Sequence, residues 1–239
     1  MSGHSRANLA PDAAGPATVT VGVENVIFSV DIAQGQLLVL LVERQELGQR
    51  QWSLPRRLVY GSESLETAAY EALSEKIRVD NLYLEQLYTF DAASRRHPAR
   101  SRYLSVSYFA LVRFAEAELI SNARHTTWHP FTQVPELAFG HSTILRYGYQ
   151  RLRNKLEYSP VAFEILPEHF SLGDLYQIYR TVLGDQFSDY SNFRARLLKL
   201  GFLTDTGLKT SRGAGRPAAL YRFDPDKFAP LKDKPLVFV

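Results

Sequence analysis

Between Ser171 and Phe223 the hydrophobic period changes twice, and the order of those changes restricts the fold more than any other feature of the chain. Ser171–Leu172–Gly173–Asp174 reads as a capping-box start, with Asp in the usual Glu/Gln position. Leu172, Leu175, Ile178, Tyr179, Val182 and Leu183 keep helical spacing until Gly184, a natural helix stop. Asp189 or Ser191 caps a second helix, SNFRARLLKLG, which closes at Gly201. Its expected apolar side is Phe193, Leu197, Leu198 and Leu200. A short β-type run (FLTD), a glycine-threaded segment (TGLKTSRGAGRPA) and a returning run (ALYRF) follow. Helix, turn, helix and β-hairpin in that order predict a winged helix-turn-helix.

The charge distribution singles out the same region. Residues 1–165 carry 17 Lys and Arg against 17 Asp and Glu, whereas residues 166–239 carry 11 against 8. The whole net charge of +3 therefore lies in the last third. Thr206–Arg222 holds Lys209, Arg212, Arg216 and Arg222 and no acidic residue. Such a block is either a solvated loop or an electrostatic footprint for phosphate. In a helix-turn-helix the second helix meets base edges in the major groove, which makes Tyr190, Ser191, Asn192, Arg194, Ala195 and Lys199 the candidate reading residues. Arg pairs with guanine and Asn with adenine. Lys209, Arg212 and Arg216 would meet phosphate, with Gly213 and Gly215 allowing close backbone approach. Winged helices also serve as protein-interaction modules, and that reading stays open on these residues.

The 239 residues suffice for two domains with ordinary cores, at 45% hydrophobic and 22% charged. The lack of cysteine excludes disulfide scaffolds, thiolate metal sites and cysteine nucleophiles. No apolar run approaches the ~18–20 residues of a membrane span, and no signal-peptide pattern opens the chain, so a cytoplasmic protein without a membrane partner is expected. Residues 1–19 lack periodicity and read as a disordered tail. TVGVENVIFSV and QLLVLLVE then form a hairpin-like pair around the turn AQGQ. Glu63–Ile77 reads as a helix capped by Ser62, and LYLEQLYTF (82–90) and YLSVSYFALVRF (103–114) as strands joined by a basic loop. A short TTWHP strand and a helix from Ser142 to about Leu156 complete an α+β domain over residues 20–157, with residues 158–239 forming the second unit.

The stretch WSLPRRLVYGSESLETAAYEALSEKIRVD resembles the Nudix signature G-x5-E-x7-R-E-U-x-E-E-x-G-U, in which U is bulky and aliphatic. With Glu63 as the first glutamate, the family glycine falls at Arg57 and the core motif runs from Glu71 to Val79. The hydrophobic positions fit, but the chemistry is altered. Glu71 stands at the family arginine, Ala72 and Lys76 stand at two of the three metal-binding glutamates, Arg78 stands at the second glycine, and Glu75 alone keeps its carboxylate. A divalent ion needs several hard oxygens, so one carboxylate beside an ammonium is a poor site. Glu71 and Glu75, one helical turn apart, remain as a weak alternative.

A degenerate Nudix-like domain ahead of a winged helix resembles the Nudix-related transcriptional regulators of the NrtR type. LYLEQLYTF, SVSYFALV, ILPEHFSLGDLYQIYRTVLG, NFRARLLKLGFL and GRPAALYRF resemble that family in the same order. The resemblance implies a Nudix-like α/β/α sandwich with a mixed sheet that senses a ligand such as ADP-ribose, and a dimeric repressor that binds operator DNA and controls NAD metabolism. It implies no required cofactor and no catalysis; a Nudix hydrolase of nucleoside diphosphate derivatives is the alternative. The family has Gly-Gly after the Leu-Pro pair, where this chain has Arg56–Arg57. Two guanidiniums there would clamp a pyrophosphate or fill the space of a nucleotide. Trp52, Glu75, Arg100 and Arg102 complete the expected effector-binding set. His125 and His129 are four residues apart on a strand-like segment, so they share no helical face and are assigned no metal.

Overall fold

A computed structural model describes residues 18–46, 48–79, 82–92, 101–120, 125–185, 187–211 and 217–231. The expectations for residues 1–17, for Arg100, and for Arg212, Gly213, Gly215 and Arg216 lie outside these residues. The first elements are β1 (Thr18–Asp31), β2 (Gln36–Glu46), β3 (Gln49–Ser53), β4 (Arg56–Leu58), α1 (Leu65–Ser74), β5 (Ile77–Arg78), β6 (Leu82–Ala92), β7 (Ser101–Val112), β8 (Glu118–Leu119), β9 (Thr126–Pro130) and α2 (His141–Tyr158). A 3-10 stretch, Pro160–Ile165, leads to β10 (Phe170–Ser171), α3 (Leu172–Leu183), α4 (Tyr190–Lys199), β11 (Leu203–Thr210), β12 (Ala218–Phe223) and α5 (Pro225–Phe228).

One mixed sheet runs β3-β2-β1-β7-β6, with β4 also on β1 and β9 also on β2. β1 and β7 are parallel, from Thr18↔Ser101 to Phe28↔Leu111, so regular structure takes in the last two residues of the expected tail. Along β1 the period of two sorts side chains between two faces. Val23 and Ile27 pack under α1 with Ala68, Ala69, Ala72 and Leu73. Val26, Phe28 and Val30 face α2 with Ile144, Leu145 and Leu152. Helix, sheet and helix therefore stack as the expected sandwich. Gly148 lets α2 approach closely, since a Cβ there would sit 2.9 Å from Val26 Cγ1. On that side Glu85 of β6 takes Arg151 at 2.8 Å and Lys155 at 2.5 Å. Burial alone would raise the Glu85 pKa, but these cations and the Tyr83 hydroxyl hold it below the usual carboxylate range.

Several sequence expectations shift. α1 is shorter than Glu63–Ile77, and its cap is Ser64, not Ser62. Ser64 accepts the Thr67 N–H at 3.0 Å, while Ile77 leaves the helix to pair with Leu119. β3 and β4 occupy a segment for which the sequence suggests no strand, and β11 outruns the expected FLTD. The apolar core is continuous from the α2 face of the sheet through Val161, Ala162, Phe163 and Ile165 into Phe170, Leu175, Ile178, Phe193 and Phe202. Around α3 and α4 the winged-helix order holds, with β10-β12-β11 as its sheet.

Candidate functional site

Arg56 and Arg57 are neighbours in a strand, so their side chains leave on opposite faces and do not form the paired clamp that adjacency suggests. Arg57 turns to the α1 side, 3.1 Å from Glu63 and ion-paired with Glu71. Glu63 also accepts the Tyr60 N–H at 2.6 Å. A guanidinium from β4 therefore stands against Glu71 of α1. Ala72 is 1% exposed and packs with Val23, Val106 and Tyr108, so it is core. Glu75 is an exposed helix C-cap, 3.6 Å from Lys76. Arg78 is exposed on β5. Glu71 and Glu75 each stand beside a cation, and the described residues contain no group of three or more His, Asp or Glu placed to hold a metal.

The opposite face carries a polar cluster that the sequence reading missed. Glu24, 1% exposed in the middle of β1, accepts the Tyr103 hydroxyl at 2.7 Å and the Ser105 hydroxyl, with Arg56 Nε at 4.0 Å. Burial pushes the Glu24 carboxyl up, while Ser105, Tyr103 and the Arg56 charge pull it back down. Burial and the facing carboxylate likewise raise the Tyr103 hydroxyl. Tyr103 lies over Gly22, where a Cβ would overlap its hydroxyl. The Arg56 guanidinium stands 4.7 Å from the Phe139 ring centre and 5.4 Å from that of Tyr103. Next along the face, Tyr88 and Phe90 meet Tyr147 of α2 at 5.3 and 5.8 Å, with Tyr88 and Tyr147 exposed. A carboxylate, a guanidinium and aromatic rings sit together here, group types suited to hydroxyls, to phosphate and to a stacked base. The available sequence signal was Glu24–Asn25, a polar pair within an otherwise β-branched run.

The remaining expected effector residues lie apart from this cluster. Trp52 packs edge-on against His129 at 4.4 Å, and Arg102, paired with Asp91, is exposed on the strand position that alternates away from Tyr103. Burial lowers the His129 pKa. His125 contacts Glu43 at 2.9 Å instead.

In the winged helix the capping box forms as expected. Asp174 accepts the Ser171 N–H and Ser171 accepts the Asp174 N–H, both at 3.1 Å. Asp189, rather than Ser191, caps α4 by accepting the Asn192 N–H at 2.9 Å. Phe193 and Leu197 are buried against α3, whereas Ser191, Asn192, Arg194, Ala195 and Lys199 are exposed. Tyr190 is divided between roles, 40% exposed yet edge-on to Tyr176 at 5.1 Å. Leu198 corrects the sequence reading. It lies 37% exposed because one residue beyond Leu197 is a turn of about 100°, away from the core. Arg194, Arg196, Lys199 and Lys209 form no ion pair among the described residues.

Residues 158–239 match the model of the AraR C-terminal winged HTH domain. Over 207 residues the chain is 35% identical to the ADPR responsive transcriptional repressor NtrR of Acinetobacter baylyi, covering 84% of this chain and 80% of that one. Shewanella oneidensis NrtR superposes with a TM-score of 0.73 at 34% identity, over 87% of this chain and 95% of that one. The chain belongs to the NrtR family. The same Shewanella protein complexed with a 27mer DNA superposes at 0.71 and 33% identity, over 87% and 95% of the two chains. A MutT/nudix family protein of Enterococcus faecalis (TM-score 0.66, 22% identity, 90% and 89% coverage) shares the fold.

As an NrtR-family chain, the molecule holds its sheet and its winged helix together through α2. Tyr149 donates to the Val182 carbonyl at 2.9 Å, and Arg153 donates to Val182 and Leu183 at 3.1 and 3.2 Å. These are last-turn carbonyls of α3 that lack partners within the helix, and a cation there also suits the helix dipole. Tyr149 is stacked on Phe131 at 4.4 Å. At the other end of α2, His141 accepts the Leu54 N–H at 3.0 Å, two residues before Arg56.

Proposed function

We propose that this chain is a ligand-responsive transcriptional repressor that binds operator DNA through α4 and the wing. Its effector is ADP-ribose or a related phosphorylated metabolite, held on the sheet face around Glu24, Arg56, Tyr103 and Ser105. The observation that carries this reading is the near-complete coverage of Shewanella NrtR, 95% of that chain, at 34% identity. The Acinetobacter relative is named for its response to ADP-ribose, and the Shewanella protein is described in complex with DNA. Regulation of NAD metabolism, a homodimer on an inverted repeat and a nucleoid-associated place in the cytoplasm belong to the same reading. So does the absence of catalysis, because Ala72 is core and Glu71 and Glu75 stand against Arg57 and Lys76. No membrane partner is assigned.

Effector binding changes DNA affinity only through a difference in its affinity for two arrangements of the reading helices. α2 is the element suited to transmit that difference, since its start holds the Leu54–Arg56 segment and its later turns grip α3. Arg153→Gln is expected to keep ADP-ribose binding by calorimetry while flattening its effect on operator affinity. An unchanged effect would remove α2 from the mechanism.

Operator selected from genomic fragments, titrated by fluorescence anisotropy with and without ADP-ribose, tests the function. Release by the ligand, lost in Glu24→Gln, is expected; identical binding curves with every phosphorylated candidate would refute the effector role. Arg194→Ala should cost ~1–3 kcal/mol on cognate DNA only, while Lys209→Ala should weaken all sequences and lower the salt slope by about one. If both variants bind DNA like the parent, the winged helix is a protein-docking module. ADP-ribose incubated with magnesium is expected to remain intact, and turnover lost on Glu75→Gln would establish the hydrolase.

A further inference from the structure

We infer that Leu198 and Ala195 of α4 read the C5-methyl groups of thymine in the operator. The inference rests on the DNA-binding reading above. At about 100° per residue, the buried Phe193 and Leu197, with the partly buried Leu200 that caps the helix, place Ala195 on the opposite side of α4, with Ser191 and Leu198 toward one edge of that side. All three are exposed, with Leu198 at 37%. A single exposed leucine is ordinary on a protein surface. This one stands beside the exposed Ala195, with Arg194 farther toward the same edge and Lys199 on the other side of Ala195. Neither cation is paired among the described residues. Cations on both sides of the exposed Ala195 and Leu198 fit a partner that is anionic at its rims and apolar at its floor.

The DNA major groove has that chemistry. Phosphates line both rims, and the thymine methyl is the apolar group on the base edges of its floor. The ten residues of α4 span about 15 Å, comparable with the groove width of about 12 Å, so residues from both halves of the helix lie within reach of the floor. Ser191 and Ala195 allow close backbone approach, and Leu198 projects farther. Arginine and asparagine supply hydrogen-bond readout, while Ala195 and Leu198 distinguish T·A from C·G where no hydrogen bond is made.

The test begins with the full chain selecting its operator from a random duplex pool at fixed, near-physiological salt. Each thymine of the selected site is then replaced in turn by deoxyuridine, which keeps every hydrogen-bonding group and deletes the methyl. Burying one CH2-sized group is worth about 0.8 kcal/mol, so affinity should fall about fourfold at one or two positions per half-site. Leu198→Ala should bind the thymine and deoxyuridine versions of at least one of those positions equally well. Leu198 is exposed, so the variant is expected to fold.

The inference is overturned if the parent protein binds every deoxyuridine duplex as well as the original, if Leu198→Ala keeps the full methyl dependence, or if the selected site has no defined T·A pair. Failure of the underlying DNA-binding reading would look different: the selection itself would enrich no sequence.

Discussion

Replacing Ala72 by aspartate should destabilise the protein by about 3–5 kcal/mol without creating a metal site. The substitution restores a carboxylate where the Nudix signature has one, which makes it the natural attempt to revive the box. Position 72 is 1% exposed, however, and its neighbours are Val23, Val106, Tyr108 and the alanines of α1. A carboxylate there loses its hydration and gains no cation, because Arg57 is already engaged by Glu63 and Glu71. An uncompensated buried charge costs on that scale. For a chain of this size the loss corresponds to a fall in Tm on the order of 10 °C, readable by thermal denaturation. Magnesium or manganese should return none of it. Metal-dependent recovery of Tm would mean that the substituted α1 can still gather ligands, and the view of Ala72 as core would be wrong.

The box shows which parts of this molecule are legible from sequence. Hydrophobic spacing places α1, α3 and α4, because each must bury one face and the 3.6-residue period records it. Capping at Ser171 is equally plain, since the residues that satisfy the free N–H groups are local. Leu198 escapes the same logic because a run of leucines offers two ways to draw the buried stripe, and only contact with α3 selects Phe193 and Leu197. Arg56 and Arg57 mislead for another reason. Adjacency suggests cooperation, whereas a strand separates neighbours across the sheet, and the three-residue β4 was too short to be recognised. The exchange by which Arg57 answers Glu71, and the cluster around Glu24, join residues 14 and 79 positions apart. No local period records such pairings. The first depends on β4 pairing with β1 under α1, and the second on β1 and β7 lying side by side, which brings Ser105 opposite Gly22 and beside Glu24.

Stability should fall as pH drops below about 6.5, and His141→Asn should remove much of that fall. The ring is 2% exposed, and burial, reinforced by the positive charges of Arg56 and Arg44, pushes its pKa down to about 3. In the unfolded chain it titrates near 6.5. Between those values the unfolded state binds a proton that the native state refuses, so the ring's contribution is complete above pH 6.5 and shrinks on acidification. The loss is about 1.4 kcal/mol per pH unit, and about 4–5 kcal/mol across the window. Geometry sets the same limit, because Nδ1 accepts the Leu54 N–H at 3.0 Å and a protonated ring would present a donor there. Glu24 acts in the opposite sense. Its raised pKa gives a contribution that is complete at low pH and is lost as pH rises through the native value, so the two variants must be compared at each pH. Asparagine can offer Oδ1 to Leu54 without titrating. Urea denaturation at half-unit steps from pH 7 to pH 4.5 should therefore show curves for the parent and His141→Asn that converge as pH falls. Parallel curves would mean that another group carries the acid sensitivity, and that His141 holds Leu54 through contacts a proton does not break.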